Sequence, residues 1–377
     1  MFGSLAEKLF GQSYYARYAL IVSVCQALAV SILEGLVLAV HTKAVSQISL
    51  FEDKVKNDAT LLSDFTDIYA QGRSMTIYHV LFIVSQFFQL GLCIDALYHQ
   101  NTIQLIALSL FIFAGLAFSA IQVYQSTSLI SDNGISPSIQ ELIIKGNDTL
   151  PKDAVPYEIV IIIVMLISSI SFAYLAYKLY QEFGWTIYKK IGADMAMRDR
   201  FKMYQIFIML LKFDVFFFLG FSIQFLALVV ILEATKEILQ HVILSVLTSA
   251  GMIIVGFWGV QTERKVLMYL FKLGVCVAEG YIISKIVDVS INPDKYHGTR
   301  IFVTFFLSVC LVLGIVTFVI SFLCLKNFDK GLKFHLSRSK SLSSQVGGQE
   351  GRDTFIENNR AFNLETVNRH TQRWSID

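Results

Sequence analysis

The chain has 377 residues, 55% of them hydrophobic and 16% charged, with a mean hydropathy of +0.58. A water-soluble fold of that composition has too few polar side chains to cover its surface. A formal net charge of +2, without a basic face interleaved with base-stacking aromatics, excludes nucleic acid as a partner.

The first apolar run covers residues 19–40 and follows a head, residues 1–18, that carries Lys8 and Arg17. It is longer than the apolar region of a signal peptide and lacks a small-residue cleavage site after it, so it reads as a retained first span. Further runs of spanning length lie at 76–97, 103–124, 159–177 and 206–232, and then at 242–260, 266–287 and 301–325. Inside hydrocarbon each run must satisfy its own backbone groups, which only a helix does. The expectation is an all-α, polytopic transmembrane helix bundle of about eight spans within residues 19–325. The short stretch Tyr98-His99-Gln100-Asn101 makes spans two and three a tight helical hairpin.

Short loops rich in Lys and Arg stay cytoplasmic. The 178–205 loop carries Lys189, Lys190, Arg198, Arg200 and Lys202, Arg264 and Lys265 follow span six, and Lys326, Lys330, Lys333, Arg338 and Lys340 follow span eight. With eight spans all three fall on one side, so both termini are expected in the cytoplasm and loops 41–75 and 125–158 in the lumen. The sequon Asn147-Asp148-Thr149 falls in the second of these lumenal loops and makes Asn147 a candidate N-glycosylation site. Residues 326–377 turn to Ser, Gln, Asn, Arg and Glu and read as a disordered cytoplasmic tail. All four prolines, Pro137, Pro151, Pro156 and Pro293, fall between the spans.

Catalytic signatures such as HExxH, GxSxG or a glycine-rich phosphate loop are missing, and the reading is of a protein that is not an enzyme. The five cysteines lie in apolar runs without metal-ligand spacing, and neither a metal nor a cofactor is expected. His79 and His241, at membrane edges, read as interfacial polar residues.

The candidate sites are instead charges at membrane depth, which are costly unless paired or facing water. At about 1.5 Å per residue, Asp214 on span five lies about 12 Å and Lys272 on span seven about 9 Å from the cytoplasmic side, which suits an ion pair. Lys212 is shallower and can snorkel to that surface. Glu34 on span one and Glu279 on span seven each lie about 9 Å from the lumenal boundary. Two carboxylates on one level could share a proton in a pathway, or each could be neutralised separately, Glu34 for instance by Lys285.

The segment Gln181-Glu182-Phe183-Gly184-Trp185-Thr186-Ile187-Tyr188-Lys189-Lys190-Ile191-Gly192-Ala193-Asp194 is followed by Arg198-Asp199-Arg200-Phe201-Lys202 and by Lys212-Phe213-Asp214-Val215-Phe216-Phe217-Phe218-Leu219-Gly220-Phe221. Together with the terminal Arg373-Trp374-Ser375-Ile376-Asp377, it resembles the uncharacterised fungal Golgi apparatus membrane proteins over spans one to eight. The resemblance implies a multi-pass Golgi location but no activity, cofactor or site residues. Two functions are expected from this reading. The first is a structural, sorting or scaffolding role, with the lipid bilayer and other membrane or cytoplasmic trafficking proteins as partners. The second is a proton- or ion-coupled transporter or channel lined by Glu34, Glu279, Lys272 and Asp214.

Overall fold

The computed structural model describes residues 13–49, 59–131, 154–191, 195–231, 248–292 and 300–328. Among them the chain forms eight α-helices and no strand: α1 (Tyr14–Ser49), α2 (Ala59–Tyr98), α3 (Thr102–Ser131), α4 (Val155–Ile191), α5 (Met195–Ile231), α6 (Thr248–Thr262), α7 (Lys265–Ile291) and α8 (Arg300–Lys326). Seven are long and apolar enough to cross a membrane, and the apolar part of α6, Gly251–Thr262, is shorter. Residues 1–12 of the N-terminal head, Asn147, His241 and the tail beyond Phe328 lie outside the described residues.

The helices outrun the apolar stretches that announce them. Expected loop 41–75 shrinks because α1 continues to Ser49 and α2 begins at Ala59, and loop 178–205 is occupied mostly by the ends of α4 and α5. Hydropathy marks only the part of a helix that meets lipid, whereas polar turns beyond it keep the same backbone hydrogen bonds. Pro156 is a correction of the same kind: it sits in the first turn of α4, not in a loop, where its missing N–H has no intrahelical partner to lose. The α2–α3 hairpin forms as expected. Gln100 adopts φ 52°, and the Asn101 side chain accepts hydrogen bonds from Ile103 N (3.1 Å) and Gln104 N (3.3 Å), capping α3.

Neighbour relations divide the eight helices into two rings. In the first, α1 packs on α2 and α4, and α3 packs on α2 and α4; in the second, α5 packs on α6 and α8, and α7 packs on α6 and α8. Buried residues recur at near-heptad spacing, as coiled-coil-like packing requires. On α2 they are Met75, His79, Phe82, Gln86, Gln89, Cys93 and Ala96. On α1 they are Ala19, Ser23, Gln26, Val30, Glu34, Val37 and His41. Large apolar side chains such as Ile21, Leu28, Ile32, Leu110, Phe113, Ile170 and Val312 point outward, a surface that only lipid tolerates at this extent.

An aromatic seam joins the rings. Phe118 of α3 packs in tilted and edge-on contact against Phe302, Phe305 and Phe306 of α8, with ring centroids 5.1, 6.0 and 6.1 Å away, and Phe88 and Phe111 meet Phe213 and Phe216 of α5. Toward the α2–α3 turn the seam becomes ionic. Lys212 Nζ of α5 lies 2.5 Å from Asp95 Oδ2 of α2 and donates to Gln104 Oε1 at 3.2 Å, while Gln104 Nε2 donates to Asp95 Oδ2 at 2.8 Å. Lys212, expected to reach the cytoplasmic surface, is a quarter exposed and ties the two rings together beside the α2–α3 turn.

Candidate functional site

The interior of the first ring is polar along much of its length. Near its middle, Gln26 Nε2 of α1 donates to Gln86 Oε1 (3.3 Å) and Gln89 Oε1 (3.1 Å) of α2, with Met165 Sδ of α4 at 3.3 Å. About 12 Å further along α1, two turns and a fraction away, comes Glu34. One carboxylate oxygen of Glu34 lies 2.7 Å from His79 Nδ1, and Gln122 Nε2 of α3 lies 3.3 Å from the same nitrogen. The His79 ring stacks on that of His41, centroids 4.9 Å apart, and His41 Nε2 lies 3.6 Å from Glu158 Oε1 in the first turn of α4.

All five side chains are at most 3% exposed. They converge at the end of the ring where α1 and α3 finish and α2 and α4 begin, each supplied by a helix rather than a loop. His41, His79 and Glu158 each offer a ligand-type atom within 4.8 Å of the other two. Nε2 of both histidines and both oxygens of Glu158 have no hydrogen-bond partner among the described residues. Buried polar atoms of this kind are normally satisfied, and these four belong to the three residues whose ligand-type atoms lie within 4.8 Å of one another.

The second ring treats its charges differently. Asp214 Oδ2 accepts a hydrogen bond from Thr317 Oγ1 of α8 at 2.8 Å. Glu279, half-buried on α7, presses its carboxylate against Gly314 of α8, in the space that a side chain there would take, and Asp214 is near enough to act on it electrostatically. Lys272 Nζ sits 3.4 Å from the centroid of the Phe322 ring, a cation–π contact.

The expected pairings are therefore not the observed ones. Asp214 and Lys272 form no ion pair, Glu34 faces His79 and not Glu279, and Lys285 lies over the Tyr281 ring, not beside Glu34. His79, read as interfacial, is 1% exposed. The signal that could have found the cluster is the seven-residue spacing of Glu34 and His41, two turns apart on one helix face, continued backwards by Gln26 and Ser23. Hydropathy windows obscure it because His41, His79 and Glu158 fall at their edges.

Large apolar side chains facing outward around a buried polar interior, on seven helices long enough to cross a bilayer, define a polytopic α-helical membrane protein. The chain is 30% identical over 276 residues to a UPF0658 Golgi apparatus membrane protein of Schizosaccharomyces pombe, a match covering 69% of this chain and 78% of the relative. It belongs to that family of Golgi apparatus membrane proteins. No protein-family model matches the chain, and no solved structure matches it either.

Proposed function

We propose that this multi-pass Golgi membrane protein handles cations through the interior of its first ring, as an ion-coupled transporter or channel and not as an enzyme. The observation that carries the reading is the succession of buried polar side chains from Ser23 and Gln26 through Gln86 and Gln89 to Glu34, His79, His41 and Glu158. Packing alone does not call for polar groups at these positions, since apolar residues of similar volume pack as well or better. Ionisable residues at membrane depth that face a bundle interior mark ion paths. With α6 counted as the eighth span, the loop charges favour the carboxylate-rich end on the lumenal side and both termini in the cytoplasm.

The test is flux. The full chain is reconstituted in phosphatidylcholine vesicles loaded with cation-sensitive dyes, and entry of potassium, calcium, manganese and zinc ions is followed. Wild-type vesicles are expected to admit at least one cation, and the Gln26→Leu/Gln89→Leu variant, which closes the middle of the track with apolar volume, is expected to admit none. If wild-type vesicles stay as tight as protein-free ones, the transport reading falls and a structural, sorting or scaffolding role takes its place.

A further inference from the structure

We infer that His41, His79 and Glu158 form a binding site for a divalent first-row transition metal ion of the zinc class, with Glu34 holding His79 in place from behind. The inference deepens the cation-handling reading by naming the ion, and it rests on that reading for the ion's movement though not for its binding.

Three helices bring the donors together. His41 Nε2 and Glu158 Oε1 are 3.6 Å apart, and two tetrahedral ligands at bond lengths of about 2.0–2.1 Å stand about 3.4 Å apart. The third donor, from His79, lies within 4.8 Å of both, which brings all three to the edge of one small ion. The donors are also unspent. An ion pair between protonated His41 and Glu158 would leave His79 Nε2 without a partner, whereas one metal ion takes a ligand from each residue.

Charge points the same way. Glu34 and Glu158 bring two buried carboxylates into one cluster, and among the described residues neither pairs with a lysine or arginine. Their partners are histidines, and a divalent cation neutralises a pair of buried carboxylates without either imidazole taking up a proton.

The Glu34–His79 contact at 2.7 Å completes the arrangement. Metal-bound imidazoles donate their other N–H to a carboxylate, which fixes the tautomer and strengthens the ligand. With Nδ1 engaged by Glu34, His79 presents Nε2 to the ion. Two imidazoles and a carboxylate favour zinc, iron or nickel over magnesium or calcium, which prefer all-oxygen shells. Three protein ligands also leave a fourth position open, as an exchangeable site requires.

The experiment uses the purified full chain in detergent, stripped with chelator, exposed to zinc chloride and dialysed. Elemental analysis is expected to find one zinc per chain, and X-ray absorption a shell of nitrogen and oxygen ligands with two imidazoles. Glu34→Gln is expected to weaken zinc binding about 10–100-fold, and His41→Gln/Glu158→Gln to abolish it. Excess magnesium or calcium is expected not to displace the ion.

Zinc retained no better than in a detergent blank, a sulfur-containing shell, displacement by calcium, or unchanged binding in His41→Gln/Glu158→Gln would each overturn the assignment. The absorption spectrum of the wild-type chain decides even if a variant fails to fold. Zinc bound at these ligands without flux keeps the site and removes the transport reading. Cation flux in a chain that binds no zinc keeps the path and removes the site.

Discussion

The two rings contain similar kinds of residue and treat them in opposite ways. In the first, Glu34, His41, His79, Gln122 and Glu158 from four helices converge on one space, and the interior below them is amide-lined. In the second, Asp214 accepts from a threonine hydroxyl, Glu279 lies over a glycine within electrostatic reach of Asp214, and Lys272 faces a phenylalanine ring. A buried charge therefore says little about function until its neighbours are known. A shared cluster couples its members, so removing one strands the others, whereas a locally solvated charge can be replaced by a side chain of matching volume.

That contrast predicts effects of opposite sign. The largest is expected for Glu34→Leu, which leaves His79 Nδ1 buried without its carboxylate and should destabilise the chain by about 3–5 kcal/mol, read as a lower unfolding midpoint in mixed micelles of dodecyl sulfate. A loss below about 1 kcal/mol, the scale of an ordinary hydrogen bond, would mean that the first ring is no more coupled than the second. Phe118→Ala tests whether the rings depend on each other. Emptying that place in the aromatic seam should cost about 3–5 kcal/mol, and limited proteolysis should then release the rings as separate fragments, whereas one cooperative transition at reduced stability would mean the ionic end of the seam suffices.

Lys272→Met should be neutral or stabilising by about 1 kcal/mol, because it exchanges a cation without a hydrogen-bond partner for a flexible apolar side chain against Phe322. A clear destabilisation would show that Lys272 has an essential partner and would erase the contrast between rings.

The smallest effect lies at the α2–α3 turn. The His99 imidazole, whose Nδ1 is 3.2 Å from Asp95 Oδ1, is raised above its ordinary range chiefly by that hydrogen bond. A raised folded-state value favours the protonated form, so its contribution is complete below about pH 6.5 and fades as pH rises through the folded value. His99 is 62% exposed, so the change should be slight. A His99→Gln variant should lose this slope between neutral and mildly acidic pH, and an unchanged slope would assign it to another group.

Much of the architecture was legible before any helix was placed. Runs of about 20 apolar residues are obliged to be helices in hydrocarbon because nothing else there satisfies the backbone, and the four residues after Leu97 leave room only for a tight turn. The Golgi family was legible too, in the Gln181 to Phe221 stretch, and the relative's similarity extends it over most of the chain. Depth along each helix could also be counted, and two of the residues it singled out, Glu34 and Asp214, are 1% and 6% exposed.

Partnership could not be counted. Depth places Glu34 and Glu279 on one level, but only the order of helices around each ring decides that Glu34 meets His79, 45 residues away, while Glu279 lies in the other ring. A helix presents many side chains at each level and rotates by about 100° per residue, so level and rotation together select the neighbour, and rotation is set by packing against other helices. The sequence by itself determined that the chain is a bundle of membrane-spanning helices with a few costly charges inside. The tertiary structure alone decided that one glutamate, two histidines and a second glutamate, drawn from three helices, share a single buried space.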